Sequence, residues 1–103
     1  MLQLNKNVAP YRCAILPLMK KEVLTEKAES IYKKLHRVLR CDFDLTGTIG
    51  KRYRRQDEIG TPHCITIDFD TLENDTVTVR DRDSMTQTRV SIPNLINFFI
   101  QED

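Results

Sequence analysis

The sequence predicts an α/β domain, a five-stranded mixed sheet flanked by about three helices. Three observations lead there. Arg12–Leu18 carries a continuous apolar run, which suits a strand buried on both faces. Leu24, Ala28, Ile31, Leu35 and Val38 step by four, three, four and three, one face of a helix. From His63 onward, three successive runs alternate with the period of two that marks strands.

The first strand is Arg12–Leu18, with Pro17 at its end, where no ladder donor is required. The helix that follows has Thr25 as its expected N-cap and Glu26 in its first turn. Arg37 and Arg40 suit the negative end of its dipole. Lys27, Lys33, Lys34 and Arg37 point away from the apolar stripe and read as a solvated face. Cys41–Leu45 is a short strand, and Thr46–Gly50 a turn into a short basic helix ended by Gly60-Thr61-Pro62. His63–Phe69, Thr76–Arg82 and Thr86–Ile92 are the remaining strands, with a hairpin turn at Glu73-Asn74-Asp75 and another at Ser84-Met85. Pro93 suits the first turn of a last helix docked through Leu95, Ile96, Phe99 and Ile100. The order β-α-β-α-β-β-β-α gives parallel crossovers first and hairpins later, hence a mixed sheet. Residues 1–7 read as a linker or a cloned edge and residues 8–103 as the domain, a start that favours an excised piece.

Composition narrows the class. At 103 residues, 40% apolar and 30% charged, the chain is long enough for one small core and is not disordered. No apolar run approaches the ~20 residues of a membrane span, and the start lacks a secretory h-region. A net charge of +1 argues against tight non-specific nucleic-acid binding, so any RNA contact comes from a local patch. Cys13, Cys41 and Cys64 show neither the even count of a disulfide framework nor CxxC spacing. Cys13 and Cys64 read as buried thiols, and the implied compartment is reducing, cytosol or an organelle matrix.

The local patch is Gly50-Lys51-Arg52-Tyr53-Arg54-Arg55, four cations in five residues around one aromatic. Cations neutralise phosphate and an aromatic can stack on a base. The plainer alternative is a solvated helical turn. Lys51 and Arg52 sit at a helix start, where anions are favoured, and are the candidate phosphate contacts. Arg54 and Asp57, three apart, are expected to pair with each other, and Tyr53 fits either core packing or an RNA face. Phe69, between Asp68 and Asp70 at a strand end, is either core or an edge platform for an unpaired base. Arg80-Asp81-Arg82-Asp83 alternates along a strand, which places both arginines on one face and both aspartates on the other. That pattern gives either cross-strand ion pairs or a base-reading edge, since arginine donates to bases and a carboxylate accepts from the cytosine amino group. His36 lies on the polar side of the long helix and His63 reads as a packing or sheet-edge residue. No metal-ligand spacing, no nucleophile paired with a base and no glycine-rich phosphate loop is visible.

These residues carry a resemblance. Gly50, Lys51, Arg54, Asp57, Gly60 and Pro62 form a Gly-Lys-x-x-Arg-x-x-Asp-x-x-Gly-x-Pro pattern that looks like the signature of class IIa anticodon-binding domains. Asp68-Phe69-Asp70 with Arg80-Asp81-Arg82-Asp83-Ser84 is narrower and resembles the C-terminal anticodon-binding domain of glycyl-tRNA synthetase, from about Val8 to about Pro93. The resemblance implies the same five-stranded sheet and three helices. It implies that Phe69 stacks on an anticodon base and that Lys51 and Arg52 hold phosphates. By the same resemblance Arg82 is the strongest base-reading candidate, with Arg80 beside it and Asp81 and Asp83 either contacting bases or bracing the arginines. Glycine codons begin GG, so the anticodon offers two cytosines. It further implies a homodimeric, cytoplasmic parent that joins glycine to tRNA with ATP and magnesium. The partners are then the anticodon loop of glycine tRNA and the parent's catalytic domain, with no cofactor in this domain and no membrane. The chain shows none of the class II catalytic motifs, so by itself it is expected to be inactive. The rival reading is a free-standing, synthetase-derived protein-interaction or accessory domain. Retention of Lys51, Phe69 and Arg82 favours the RNA-binding one.

Overall fold

The computed structural model describes residues 11–101, so the expected linker at 1–7 and the domain's first residues lie outside it. β1 (Cys13–Pro17) is followed by α1 (Glu22–His36), β2 (Cys41–Phe43), α2 (Ile49–Ile59) and β3 (His63–Ile67). A short α3 (Phe69–Asn74), β4 (Thr76–Asp81), β5 (Gln87–Ser91), a 3-10 turn (Ile92–Asn94) and α4 (Leu95–Gln101) complete the order. The five strands form one sheet in the order β2-β1-β3-β4-β5. β1 pairs in parallel with β2 and β3, and β3-β4-β5 run antiparallel. The predicted mixed sheet is therefore present.

β1 lies inside the sheet between β2 and β3 and every one of its residues is buried, as its unbroken apolar run requires. Its side chains alternate between two cores. Cys13 and Ile15 join Leu24, Ala28, Ile31 and Leu35 of α1, Ile65 and Ile67 of β3, Val77 and Val79 of β4, and Leu95 and Phe99 of α4. Ala14, Leu16 and Cys64 form a smaller core under Ile49 and Tyr53 of α2. Chain order explains the division. β1 crosses over to β2 on one side and β2 crosses back past β1 to β3, and right-handed crossovers put α1 and α2 on opposite faces. The minor core leaves the α2 face of β4 and β5 uncovered, and Gln87, Thr88 and Arg89 are exposed there or along that edge.

Several local expectations shift. Thr25 is not the N-cap of α1. Its N–H already bonds the Lys21 carbonyl at 2.9 Å, so the helix starts at Glu22. Val38 falls beyond the helix end and is exposed, which shortens the stripe by one residue. β2 stops at Phe43 because the Asp44 carboxylate turns toward α2. The expected strand to Phe69 and turn at Glu73–Asp75 are replaced by α3. Asp68 caps it, with its carboxylate accepting from Thr71 N–H and the Thr71 hydroxyl bonding back to the Asp68 N–H. β4 ends at Asp81, and Arg82–Ser84 form a turn rather than more strand. Ile96 of α4 stays partly exposed while Leu95 and Phe99 are buried.

α2 begins at Ile49, inside the expected turn, with Thr48 Oγ1 accepting from Lys51 N–H, and it ends as expected at Gly60, with a positive φ of 93°. Beside Ile49 and Tyr53, its sheet-facing side carries polar residues. Arg52 and Gln56, four apart, are both buried. Gln56 donates to Asp42 and Asp44 and accepts from the Thr61 hydroxyl, while Arg55 Nη1 lies 2.6 and 2.5 Å from the two Asp44 oxygens. This network fixes α2 against the end of β2 where an apolar stripe is missing.

Candidate nucleic-acid interface

β3 and β4 pair antiparallel with His63 opposite Asp81, so the loops after these strands emerge at opposite ends of the sheet. Phe69 follows β3 and Arg82 follows β4. At about 3.3 Å per residue over β3, the two ends lie roughly 17 Å apart. Lys51, at the start of α2, shares the Phe69 end, because the buried Arg52 beside it reaches the last residue of β1. The sequence-predicted residues thus divide into two groups, and a single base cannot touch both.

The first group stands at the carboxyl ends of the parallel strands, at the β1–β3 boundary, where the crossover helices part to opposite faces of the sheet. Open α/β sheets bind ligands in that crevice. Phe69 is 43% exposed at the first position of α3, and Lys21 Nζ lies 5.8 Å from its ring centroid. The ring is exposed beside a cation, not packed in the core. Lys51 is exposed and, among the described residues, its ammonium has no ion pair.

Arg52 requires a correction. It is 2% exposed, and its Nη1 donates to the Pro17 carbonyl at 2.5 Å and to the Asp44 carbonyl at 3.4 Å. The helical period turns it toward the sheet while Lys51 and Arg54 turn outward. It ties α2 to the end of β1 and cannot reach a phosphate in this geometry. The expected Arg54–Asp57 pair is also replaced: Asp57 Oδ1 lies 3.6 Å from Arg80 Nη1.

The second group is built from the turn after β4. Arg80 stacks over the Tyr53 ring, its guanidinium carbon 4.7 Å from the centroid, and its Nη2 meets Met85 Sδ at 3.3 Å. Tyr53 bonds through its hydroxyl to Thr66, and burial raises its pKa. Arg80 is thus mostly enclosed, with its side chain 12% exposed. Arg82 donates Nε to the Asp57 carbonyl at 3.1 Å and Nη1 to Asp83 at 3.2 Å, yet its side chain is 35% exposed. Both arginines therefore reach Asp57, as a shared face requires. Asp81 braces the turn: its Oδ1 accepts from the N–H groups of Asp83 and Ser84 at 2.9 and 3.1 Å. Burial pushes its pKa up, but those N–H groups and the nearby His63 outweigh burial and hold it low. Asp83 is open to solvent beside Arg82.

Arg89 escaped the sequence reading. It lies on the uncovered face of β5 and grips Asp68 with two bonds of 2.9 Å. That grip, with the Thr71 bonds, holds the Asp68 pKa below the usual carboxylate range. Its alternation with Gln87 and Ser91 marked only a polar face, and nothing in sequence links it to an acid twenty-one positions away.

The rest of the molecule offers little chemistry. The Cys13, Cys41 and Cys64 thiols are all buried and free, and burial pushes Cys64 up to about 12. His63 packs edge-on against Phe98 and Phe99. Among the described residues no group of three metal-ligating side chains lies together, and no helix is long and apolar enough to cross a membrane.

The sequence matches a known family along nearly the whole chain. The family model described as "Anticodon binding domain" matches residues 12–102, and the chain belongs to that family. Within it the similarity is to glycine–tRNA ligases. The chain is 54% identical over 101 residues to the enzyme of Clostridium tetani, covering 98% of this chain and 21% of that protein. It is 60% identical over 91 residues to the enzyme of Clostridium kluyveri, covering 88% and 19%. It is 54% identical over 101 residues to the enzyme of Borreliella burgdorferi, covering 98% and 23%. The chain spans about a fifth of the length of these relatives. Among solved structures, the RNA binding domain of threonyl-tRNA synthetase from Cryptosporidium parvum Iowa II superposes with a TM-score of 0.80 at 25% identity, over 89% of this chain and 23% of that one.

Proposed function

We propose that this chain is the part of a glycine–tRNA ligase that holds the anticodon loop of glycine tRNA, in the cytoplasm, for a catalytic domain that lies elsewhere. Phe69 stacks on one unpaired base, Lys51 neutralises a phosphate beside it, and Arg82 reads a different nucleotide about 17 Å away with Asp83 at its side. Arg80, enclosed against Tyr53, and Asp81, bonded to the turn's N–H groups, support that reader, and Arg52 supports the fold. The parent enzyme would join glycine to tRNA with ATP and magnesium bound in its catalytic domain. The contribution of this chain is binding and orientation, and alone it should form no glycyl-tRNA.

The observation that carries the reading is the exposed Phe69 ring on a capped helix at the strand ends, flanked by Lys21. Fluorescence anisotropy with a labelled glycine anticodon stem-loop tests it. Phe69→Ala should weaken binding by ~1–3 kcal/mol, and Lys51→Met should lower the slope of log affinity against log salt by about one phosphate. Unchanged affinity of Phe69→Ala would remove the stacking contact from the proposal.

A further inference from the structure

We propose that Arg89 is a positioning residue for the Phe69 platform: by locking Asp68, the N-cap of α3, it fixes the orientation in which the ring meets RNA. The inference rests on the stacking reading of Phe69 and extends it to a strand on the far side of β4.

Phe69 is 43% exposed, so core packing does not orient it. Its orientation comes from α3, which has six residues and is too short to hold itself. What anchors the start of α3 is Asp68. Its Oδ1 accepts from the Thr71 N–H and hydroxyl at 3.1 Å each and from Arg89 Nη2 at 2.9 Å, and its Oδ2 accepts from Arg89 Nη1 at 2.9 Å.

Arg89 is itself fully engaged. A guanidinium has five N–H donors. Nε donates to Thr76 Oγ1 at 2.8 Å, Nη1 to Asp68 and to Thr78 Oγ1 at 2.8 Å, and Nη2 to Asp68 and to the Thr76 carbonyl at 3.4 Å. Five donors meet five acceptors. No donor remains for a base or phosphate, which separates positioning from direct contact. The rigid fork also excludes lysine as an equivalent, because a single ammonium cannot span both Asp68 oxygens and the threonine ladder.

The test measures stem-loop affinity for five proteins: the unaltered chain, Phe69→Ala, Arg89→Lys, Arg89→Lys with Phe69→Ala, and Asp68→Asn. Asparagine keeps an N-cap acceptor and removes the charged partner, so that variant folds and releases Arg89. Phe69→Ala should bind about 5- to 150-fold more weakly, the stacking range converted to affinity. Arg89→Lys should lose about threefold or more in the unaltered background and nothing further when Phe69 is alanine, the signature of residues acting as one unit. Asp68→Asn should lose affinity as Arg89→Lys does. In the free protein, Arg89→Lys should also shift the Phe69 ring proton resonances. Equal losses from Arg89→Lys with and without Phe69 would overturn the positioning role. Tighter binding by Asp68→Asn would overturn it in favour of direct contact by a released Arg89. Phe69→Ala binding like the unaltered chain would instead overturn the stacking reading beneath it.

Discussion

Replacing Arg52 separates folding from recognition within one basic run. Arg52→Met keeps much of the side-chain volume and removes the guanidinium. The Pro17 and Asp44 carbonyls then lose a charged donor in a nearly water-free site. A hydrogen bond to a charged group contributes about 1.5–3 kcal/mol, and a buried carbonyl left unpaired costs about 1–3 kcal/mol. Methionine recovers part of this, because no charge then needs desolvating. A net loss of about 2 kcal/mol is expected, read as a lower urea midpoint with an unchanged slope. The corresponding fall in Tm is about 8–16 °C for a domain of this size. Affinity of the folded protein for a glycine anticodon stem-loop, and its salt dependence, should stay as in the unaltered chain. Lys51→Met should do the opposite, with stability kept and the salt slope reduced. If Arg52→Met left stability intact and flattened the salt slope, Arg52 would be a phosphate contact and the buried placement would be refuted.

Acid should destabilise the fold in a defined window. Asp44 and Asp68 are held below the ordinary carboxylate value, Asp44 by Arg55, Thr46 and Gln56 against the upward push of burial, and Asp68 by Arg89. A depressed folded-state pKa means the unfolded chain binds more protons, so this stability is complete above about pH 4 and is lost as pH falls through the folded values. Urea midpoints should hold from about pH 6 to about pH 5 and drop toward pH 3, and a flat profile to pH 3 would contradict the pairing. The thiols give a second check. The Cys13 hydrogen bond lowers the Cys41 pKa and burial raises Cys64 to about 12, but all three thiols are buried, so the native protein should be silent to a thiol reagent at mildly alkaline pH and should titrate three thiols once unfolded. Rapid labelling of the native protein would argue that the two cores open readily.

The layered architecture was legible because each strand of the sheet carries its own pattern. β1 reads as buried from its unbroken apolar run, and β4 shows Val77 and Val79 against Thr76 and Thr78. What escaped was decided by single side chains. α3 depends on a cap between Asp68 and Thr71, a signal easily masked by the strand-like Ile65–Ile67–Phe69 alternation that precedes it. The basic run gave the right helix, but composition could not show that the period turns Arg52 inward, because buried arginine is rare and needs carbonyls supplied by β1 and the turn after β2. In the same way, Arg80–Asp83 read as one charged strand edge. The chain turns after Asp81, so Asp81 becomes a brace bonded to Asp83 and Ser84, while Arg82 and Asp83 stay open to solvent at the turn. Arg89 could not be found at all without the fold, since its partner belongs to another strand end.

In the proposed function this face reads bases at two separated places. The most direct measurement is NMR titration of the isotope-labelled chain with a glycine anticodon stem-loop, beside a control with both anticodon cytosines changed. Shifts are expected in two clusters, one at Lys51 and Phe69 and one at Arg82 and Asp83, both weakened with the control RNA. Equal shifts with the two RNAs, or shifts confined to one end of the sheet, would contradict it.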